Sequence, residues 1–118
     1  MTTDITRYGT GPRMSEAVAH NGTLYLAGQL GEPSGSVADQ TRQALAAVDA
    51  ILAKAGIDKT RILMVQIWLA DMATFAEMNS VYATMFAEPY PARTTIGVAS
   101  LPLGARVEIE LMAHRPAT

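Results

Sequence analysis

The sequence predicts an α+β fold, with a single β-sheet and two helices packed on one face of it. Two long stretches carry apolar residues at spacings of three and four, the period of an amphipathic helix. The shorter segments around them are apolar or alternating and are bounded by glycine, proline or asparagine, which is typical of strands. Their order is β-β-α-β-α-β-β, and an additional N-terminal strand is compatible with it.

The chain begins with a predicted hairpin. Residues 15–20 and 23–27 are its strands, and Asn21-Gly22 between them is a strong turn signal. Both central residues of a type I′ turn need positive φ, which asparagine and glycine adopt most readily. Residues 28–36 contain three glycines and a proline, so we expect a loop there.

The first helix is predicted between Ser36 and Gly56. Ser36 and Asp39 resemble a capping box, in which the serine side chain accepts a hydrogen bond from the amide three residues on. Gly56 ends the helix, because glycine adopts the left-handed conformation without strain. The periodic residues of this helix are Val37, Thr41, Ala44, Leu45, Val48, Ile51, Leu52 and Ala55.

A buried strand and the second helix follow. Residues 62–69 are apolar on both alternating faces apart from Gln66, as in a strand buried on both sides. Thr74 and Glu77 resemble a second capping box, and Pro89 ends the helix. The apolar stripe of the helix carries Phe75, Met78, Val81, Tyr82, Met85 and Phe86. The aromatic side chains expected in the hydrophobic core are Trp68, Phe75 and Phe86.

The last two predicted strands bring the first chemically interesting residues. These strands are residues 94–99 and 106–113, and Arg93 stands at the start of the former. The period of two places Glu108 opposite the apolar face of the last strand. If the two strands adjoin, the arginine and the carboxylate approach each other, and the sequence leaves their pairing open.

Composition excludes several classes of protein. The 118 residues suit one domain, 1–118, because domains cluster at about 100–150 residues. With a net charge of −2, the chain lacks the basic surface that nucleic-acid binding requires. No apolar run approaches the ~20 residues that span a bilayer. With no cysteine and only His20 and His114, we expect no metal or disulfide site. The missing cysteine fits a cytoplasmic location.

Two side chains are candidates for chemistry. Arg93 presents planar donors that match a carboxylate in bidentate fashion, with an ordinary surface ion pair as the alternative. Glu108 lies between Val107 and Ile109, where partial shielding raises a carboxyl pKa and suits the group to proton transfer near neutral pH. The alternative is an exposed carboxylate paired with Arg106 or Arg93.

Three further residues have polar or conformational features. Asn79 lies beside the apolar stripe of the second helix and needs a partner, which backbone or water can also supply. Gly28 follows a strand, where its backbone can approach a ligand closely or make a plain turn. Thr95 is a hydroxyl donor or simply a good strand former.

Six motifs occur in the order and spacing of one known family. They are Ala27-Gly28-Gln29, Gln40-Thr41-Arg42-Gln43-Ala44-Leu45, Phe75-Ala76-Glu77-Met78-Asn79, Pro91-Ala92-Arg93-Thr94, Leu101-Pro102 and Val107-Glu108-Ile109-Glu110. From about Ser15 to Ala113 the chain resembles the RidA/YjgF family of enamine/imine deaminases. The most specific feature is Pro-Ala-Arg with a glutamate fifteen residues after the arginine.

The resemblance implies a fold and an assembly. Members of this family have a chorismate-mutase-like α+β fold and form homotrimers, in which the sheets line a central barrel. Three clefts lie between the subunits. The implied reaction is the hydrolysis of small 2-imino acids to 2-oxo acids and ammonia, without metal or cofactor.

The resemblance also implies roles for individual residues. The catalytic pair is Arg93, which binds the substrate carboxylate, and Glu108, which activates the attacking water. Asn79 lies near the cleft, and Gly28 supplies backbone groups. Three further substrate-binding positions differ from the usual family residue: Ala27 replaces a serine, Met14 a tyrosine and Thr95 a frequent cysteine.

Two hypotheses for function follow. The first is an imine deaminase, and the second is a non-catalytic member that binds a small carboxylate or metabolite, which the changed positions favour. A ribonuclease is disfavoured by the acidic pI of 5.6 and by the lack of a basic patch. A chorismate mutase is disfavoured because the sequence pattern of that enzyme is missing.

Overall fold

A computed structural model of the chain describes residues 4–116. It contains six strands and two α-helices in the predicted order, including the additional N-terminal strand. The first three and the last two residues of the predicted domain lie outside the described residues. The elements are β1 (Thr6–Tyr8), β2 (Ala17–His20), β3 (Thr23–Gln29), α1 (Val37–Lys54), β4 (Ile62–Leu69), α2 (Phe75–Met85), β5 (Ala92–Gly97) and β6 (Val107–His114).

The six strands form one mixed sheet in the order β1-β2-β3-β6-β4-β5. Only β4 and β5 run parallel, because α2 carries the chain back before β5 begins. The strand β6 then pairs antiparallel with both β3 and β4. The strands β5 and β6 therefore do not adjoin, and the idea that Arg93 meets the carboxylates of β6 on a neighbouring strand is wrong.

Both helices pack on one face of the sheet, as predicted. The alternating residues of β3, β4 and β6 that point to this face are almost fully buried against the helices. Each such side chain contributes roughly 1.5–3 kcal/mol of hydrophobic stabilisation relative to an exposed one. The core includes Leu24, Leu26, Leu45, Val48, Leu52, Val65, Ile67, Met78, Ile109 and Leu111.

The opposite face of the sheet carries no helix within residues 4–116 and is described below as the open face. Trp68 lies on it, because it pairs with Glu108 of β6, and it is only half-buried. Its prediction as a core residue is therefore wrong, and β4 is buried on one side only. Phe86 is buried and stacks on Tyr82, with ring centroids 4.3 Å apart. Phe75 is 36% exposed and is likewise not a core residue.

Two predicted boundaries differ from the observed ones. The strand β3 continues through Gly28 and Gln29, because Gln29 still pairs with Ile109 of β6. The strand β5 begins at Ala92 and ends at Gly97, because β4 offers it a parallel ladder from Met64 onwards.

The turn and the first helix cap follow the prediction. Asn21 and Gly22 have φ values of 50° and 82°, as a type I′ hairpin requires. The Ser36 side chain accepts a hydrogen bond of 3.1 Å from the Asp39 amide. Gly56 follows the last turn of α1 with φ of 78°.

The second predicted capping box is wrong. Thr74 makes no cap to α2 and instead donates its hydroxyl to the Asp71 carbonyl at 2.6 Å. Glu77 reaches the other helix, where its Oε2 accepts a hydrogen bond of 2.9 Å from the Ala38 amide in the first turn of α1. A tertiary contact between the helices has replaced the local one.

Candidate functional site

Arg93 lies at the edge of the sheet beneath α2. Its register with Val65 of β4 places it on the face that carries the helices. Its Nη1 donates a hydrogen bond of 2.7 Å to Asn79 Oδ1. The guanidinium carbon is 4.7 Å from the ring centroid of Tyr82 and 5.7 Å from that of Phe75. The cation is therefore held by one hydrogen bond and two aromatic faces.

The helix α2 presents these three partners because of its period. Phe75, Asn79 and Tyr82 follow at spacings of four and three, so they form one stripe along the helix. Sequence reasoning missed Phe75 and Tyr82 as partners of Arg93 and assigned them to the apolar stripe alone. The signal that points to them is their spacing around Asn79.

Most of the hydrogen-bonding capacity of Arg93 remains free. A guanidinium has five N–H donors, and within residues 4–116 the bond to Asn79 is the single hydrogen bond that the Arg93 guanidinium makes. Burial raises the pKa of the Tyr82 hydroxyl, although the nearby Arg93 charge acts in the opposite direction. The three partners of Arg93, namely Phe75, Asn79 and Tyr82, are therefore uncharged, and together they are called the arginine cradle below. The guanidinium is available to a carboxylate.

Thr95 lies on the same face as Arg93, two residues further along β5. It pairs with Ile67 of β4. Its Oγ1 is buried and has no hydrogen-bond partner among the described residues. A buried hydroxyl without a partner is costly, so an incoming polar group would be stabilised there.

Glu108 lies on the open face of the sheet, opposite to Arg93. It pairs with Trp68 of β4 and is half-buried. Burial, followed by the charge of Glu110, raises the pKa of the Glu108 carboxyl. Within residues 4–116 this carboxylate takes part in no hydrogen bond or ion pair, so within one chain it pairs with neither Arg106 nor Arg93.

Gly28 provides the space that Glu108 occupies. A Cβ atom at Gly28 would overlap the Glu108 carboxylate, so any other residue would displace that group. The ladder between β3 and β6 is irregular between Leu26 and Gln29, which brings the glycine backbone under the carboxylate. The structure thus brings together two of the residues singled out from the sequence.

Ala27 directly precedes Gly28 on β3, and Met14 lies in the loop before β2. Ala27 lines a hollow of about 380 Å³ on the open face, together with Ser15, Gln66 and Glu110. Met14 is 60% exposed in the loop before β2, and its carbonyl accepts a hydrogen bond from the Gly11 amide. Within the described part of the chain, the structure places Met14 against neither Arg93 nor Glu108.

Each histidine ring lies close to a backbone carbonyl. The Nδ1 atom of His20 lies 3.4 Å from the Asp4 carbonyl, and that of His114 lies 3.1 Å from the Gly22 carbonyl. Among residues 4–116 no cluster of histidine and carboxylate side chains could hold a metal ion. No helix in this range is long and apolar enough to cross a membrane.

Comparison with known proteins gives a consistent result. The family model described as endoribonuclease L-PSP matches residues 6–115. The bovine protein named 2-iminobutanoate/2-iminopropanoate deaminase is 42% identical over 106 residues, which cover 84% of this chain and 77% of that protein. A RutC family protein of Pyrococcus horikoshii is 40% identical over 108 residues, which cover 86% of each protein.

Solved structures agree with the sequence relatives. A member of the YjgF protein family from Neisseria meningitidis superposes with a TM-score of 0.91 at 38% identity, and the alignment covers 98% of each chain. The crystal structure of yeast Mmf1 superposes with a TM-score of 0.90 at 35% identity, and the alignment covers 96% of this chain and 100% of that chain. With a family model that spans every described helix and strand, these relatives lead to one assignment: the chain belongs to the YjgF/RidA family.

Proposed function

We propose that the chain hydrolyses small 2-imino and enamine acids to 2-oxo acids and ammonia. The observation that carries the proposal is the arginine cradle. Arg93 is fixed by Asn79 and by two aromatic rings, yet it keeps most of its donors free. Such a preorganised guanidinium suits the bidentate binding of a carboxylate. The name of the bovine relative supports the same reaction.

In this reaction Arg93 holds the substrate carboxylate and Glu108 handles protons. Glu108 accepts a proton from water as the water oxygen forms a bond to the C=N carbon of the protonated imine, which gives a tetrahedral carbinolamine. Glu108 then passes this proton to the nitrogen and takes the hydroxyl proton of the carbinolamine as the C=O bond forms and the C–N bond breaks, so that ammonia and the 2-oxo acid leave. A carboxyl with a raised pKa suits both transfers. The imine carbon is itself electrophilic, so the proposed steps use only these side chains and water.

The remaining site residues have smaller proposed roles. Asn79 fixes Arg93, and the unpartnered Thr95 hydroxyl donates to a substrate oxygen. The Gly28 backbone contacts the substrate beside Glu108. Ala27 and Met14 shape the cleft and set substrate preference, because their side chains lack the hydroxyl groups of the usual family residues.

The proposal requires more than one copy of the chain. Arg93 and Glu108 point to opposite faces of the sheet, so one chain directs them away from each other. A second copy that docks its Glu108 face against the β5 edge of the first brings the two side chains together. We include a homotrimer in the proposal, with the open faces lining a central barrel and three clefts between subunits.

Exposed apolar side chains support this assembly. Tyr25, Ile96 and Met112 all lie on the open face and are 51%, 46% and 37% exposed. Burial of such a patch between copies would stabilise an oligomer. The proposed location is the cytoplasm, and RNA is not a proposed substrate, because acidic residues outnumber basic ones.

The test is hydrolysis of 2-iminopropionate generated in situ. We expect wild type to accelerate its loss, and Arg93→Ala to lower kcat/KM by about thirtyfold or more, since the half-buried charged partner of the substrate carboxylate is lost. Arg42→Ala is the matched control, because Arg42 forms an exposed ion pair with Asp39. Equal rates for wild type, Arg93→Ala and buffer would reject the enzyme. If pyruvate still raised the melting temperature of wild type but not that of Arg93→Ala, the hypothesis of a non-catalytic carboxylate binder would replace that of a deaminase.

A further inference from the structure

Gln40 is a buried polar residue that the proposed chemistry does not use. It lies on α1, faces the sheet, and is fully inaccessible to solvent. Its Nε2 donates hydrogen bonds to the carbonyls of Gly35 at 2.8 Å and Pro33 at 3.2 Å. Its Oε1 accepts a bond of 2.9 Å from the Arg106 amide. One side-chain amide thus joins the loop that leaves β3 to the residue just before β6.

The same region of α1 also fixes the path of this loop. A Cβ atom at Gly31 would lie 2.6 Å from the Gln40 Cα, so the chain passes very close to the helix. The neighbouring Gln43 side chain accepts a hydrogen bond of 2.6 Å from the Glu32 amide. The loop has little freedom to shift relative to α1.

These contacts hold both strands that meet at Glu108. The β3–β6 ladder reaches Gln29, just after Gly28, and the loop held by Gln40 begins there. On the other strand, the Arg106 amide held by Gln40 is two residues before Glu108. The Glu108 carboxylate fits over Gly28 only if the two strands keep this relative position.

We infer that Gln40 is a positioning residue for Glu108. The three hydrogen bonds of the Gln40 side chain fix the Glu108 carboxylate over Gly28. This inference rests on the proposed function for its catalytic consequence. Arg93 lies on the other face of the sheet and bonds to α2 rather than α1. Loss of Gln40 should therefore affect proton transfer more than carboxylate binding.

The charged groups around Glu108 make its titration a suitable probe. On its own strand, Glu110 shares the open face, and Arg106 is exposed just before the strand. From the adjacent strands, Gly28 and Trp68 face it and carry no charge, and in the proposed assembly the Arg93 side chain of a second copy approaches it in wild type and variants alike. Gln40 is also uncharged, so its replacement by an uncharged residue changes the Glu108 pKa through position and burial alone.

The experiment compares Gln40→Met with Thr41→Val. Thr41 is the adjacent, equally buried residue, and its hydroxyl donates only to the Val37 carbonyl within α1. The carboxyl pKa of Glu108 is measured by carbon-13 NMR titration, and kcat and KM are measured with in situ 2-iminopropionate. For Gln40→Met we expect the pKa to fall toward its ordinary value, kcat to fall at least about tenfold and KM to change less than about twofold.

Thr41→Val should leave the pKa and kcat close to those of wild type. If Gln40→Met does not fold, Gln40→Asn takes its place, because its shorter amide cannot reach both the loop and Arg106. An unchanged Glu108 pKa in the folded variant, or a kcat no lower than that of Thr41→Val, would overturn the inference. If wild type shows no hydrolysis, the proposed function fails, while the NMR titration still decides the role of Gln40.

Discussion

Arg93 and Glu108 lie on opposite faces of the same sheet, and one strand, β4, lies between their strands. Arg93 is in register with Val65, whose side chain is buried under the helices, and Glu108 is in register with Trp68 on the open face. One chain therefore cannot direct both groups at one small substrate. Two copies can, and this relationship makes the oligomer a requirement of the proposed chemistry rather than an addition to it.

Asn79→Ala should weaken substrate binding. The variant removes the single hydrogen bond that orients Arg93 within residues 4–116, and one such bond to a charged group contributes about 1.5 kcal/mol. We expect KM to rise about tenfold with little change in kcat, as measured by steady-state kinetics. Ser80→Ala is the control on the same helix, because the Ser80 hydroxyl donates only to the Glu77 carbonyl. An unchanged KM would show that Arg93 orients itself without Asn79.

Gly28→Ala should lower kcat about tenfold or more. The added methyl group occupies the place of the Glu108 carboxylate and forces it away from its position. Gly11→Ala is the control, because a Cβ there would meet nothing closer than the Met14 carbonyl at 3.7 Å. Wild-type kcat in Gly28→Ala would contradict a role for the observed Glu108 position.

The stability of the protein should depend on the ionisation of Glu108. Its pKa in the folded state is raised above the ordinary 4.5, mainly by burial. The folded protein therefore binds this proton more tightly than the unfolded chain does. Stability is lost as the pH rises from the unfolded pKa through the folded one.

Glu108→Gln should remove this loss, because glutamine resembles the neutral carboxyl. With Arg93→Ala in both proteins, so that no Arg93 of a second copy acts on the carboxylate, we expect the variant to melt at a higher temperature than its Glu108 parent near pH 7, and at nearly the same temperature near pH 4. Scanning calorimetry at both pH values measures the difference, with the exposed Glu88→Gln as the control. A gain for Glu108→Gln that is the same at both pH values would count against a raised pKa.

Glu77→Ala should destabilise the packing of the two helices. Its carboxylate accepts a hydrogen bond from the Ala38 amide at the N-terminus of α1, where negative charge is favourable by about 0.3–1 kcal/mol. Urea unfolding should show a loss of about that size. Thr74→Val should lower the free energy of unfolding by less than Glu77→Ala does, because Thr74 makes no cap to α2. A larger loss for Thr74→Val than for Glu77→Ala would contradict the observed contact.

The sequence predicted the elements well because their signals are local. Asn21-Gly22, Ser36 and Gly56 each need only neighbouring residues to act, and all three behave as predicted. The second capping box failed because Glu77 finds a partner 39 residues away. A pattern of residues near one helix end carries no information about such a distant amide.

The sequence predicted which residues belong to the candidate site but not how they lie relative to one another. A period of two gives the face of each residue within its own strand, and it does not say that β4 separates β5 from β6. Trp68 was placed in the core for the same reason, since hydrophobicity does not distinguish the two faces of a sheet. The contact between Gly28 and Glu108 depends on the irregular ladder between β3 and β6, which no sequence motif predicts.

A mixed oligomer tests the central claim most directly. Arg93→Ala and Glu108→Ala chains are each expected to be inactive alone. When they are co-expressed in equal amounts with different tags and purified through both tags, some clefts receive Arg93 from one chain and Glu108 from the other. In each mixed trimer one of the three clefts receives both intact residues, so the purified oligomers should recover about a third of the wild-type rate per cleft. Verified mixed oligomers that recover no activity would contradict a site shared between copies.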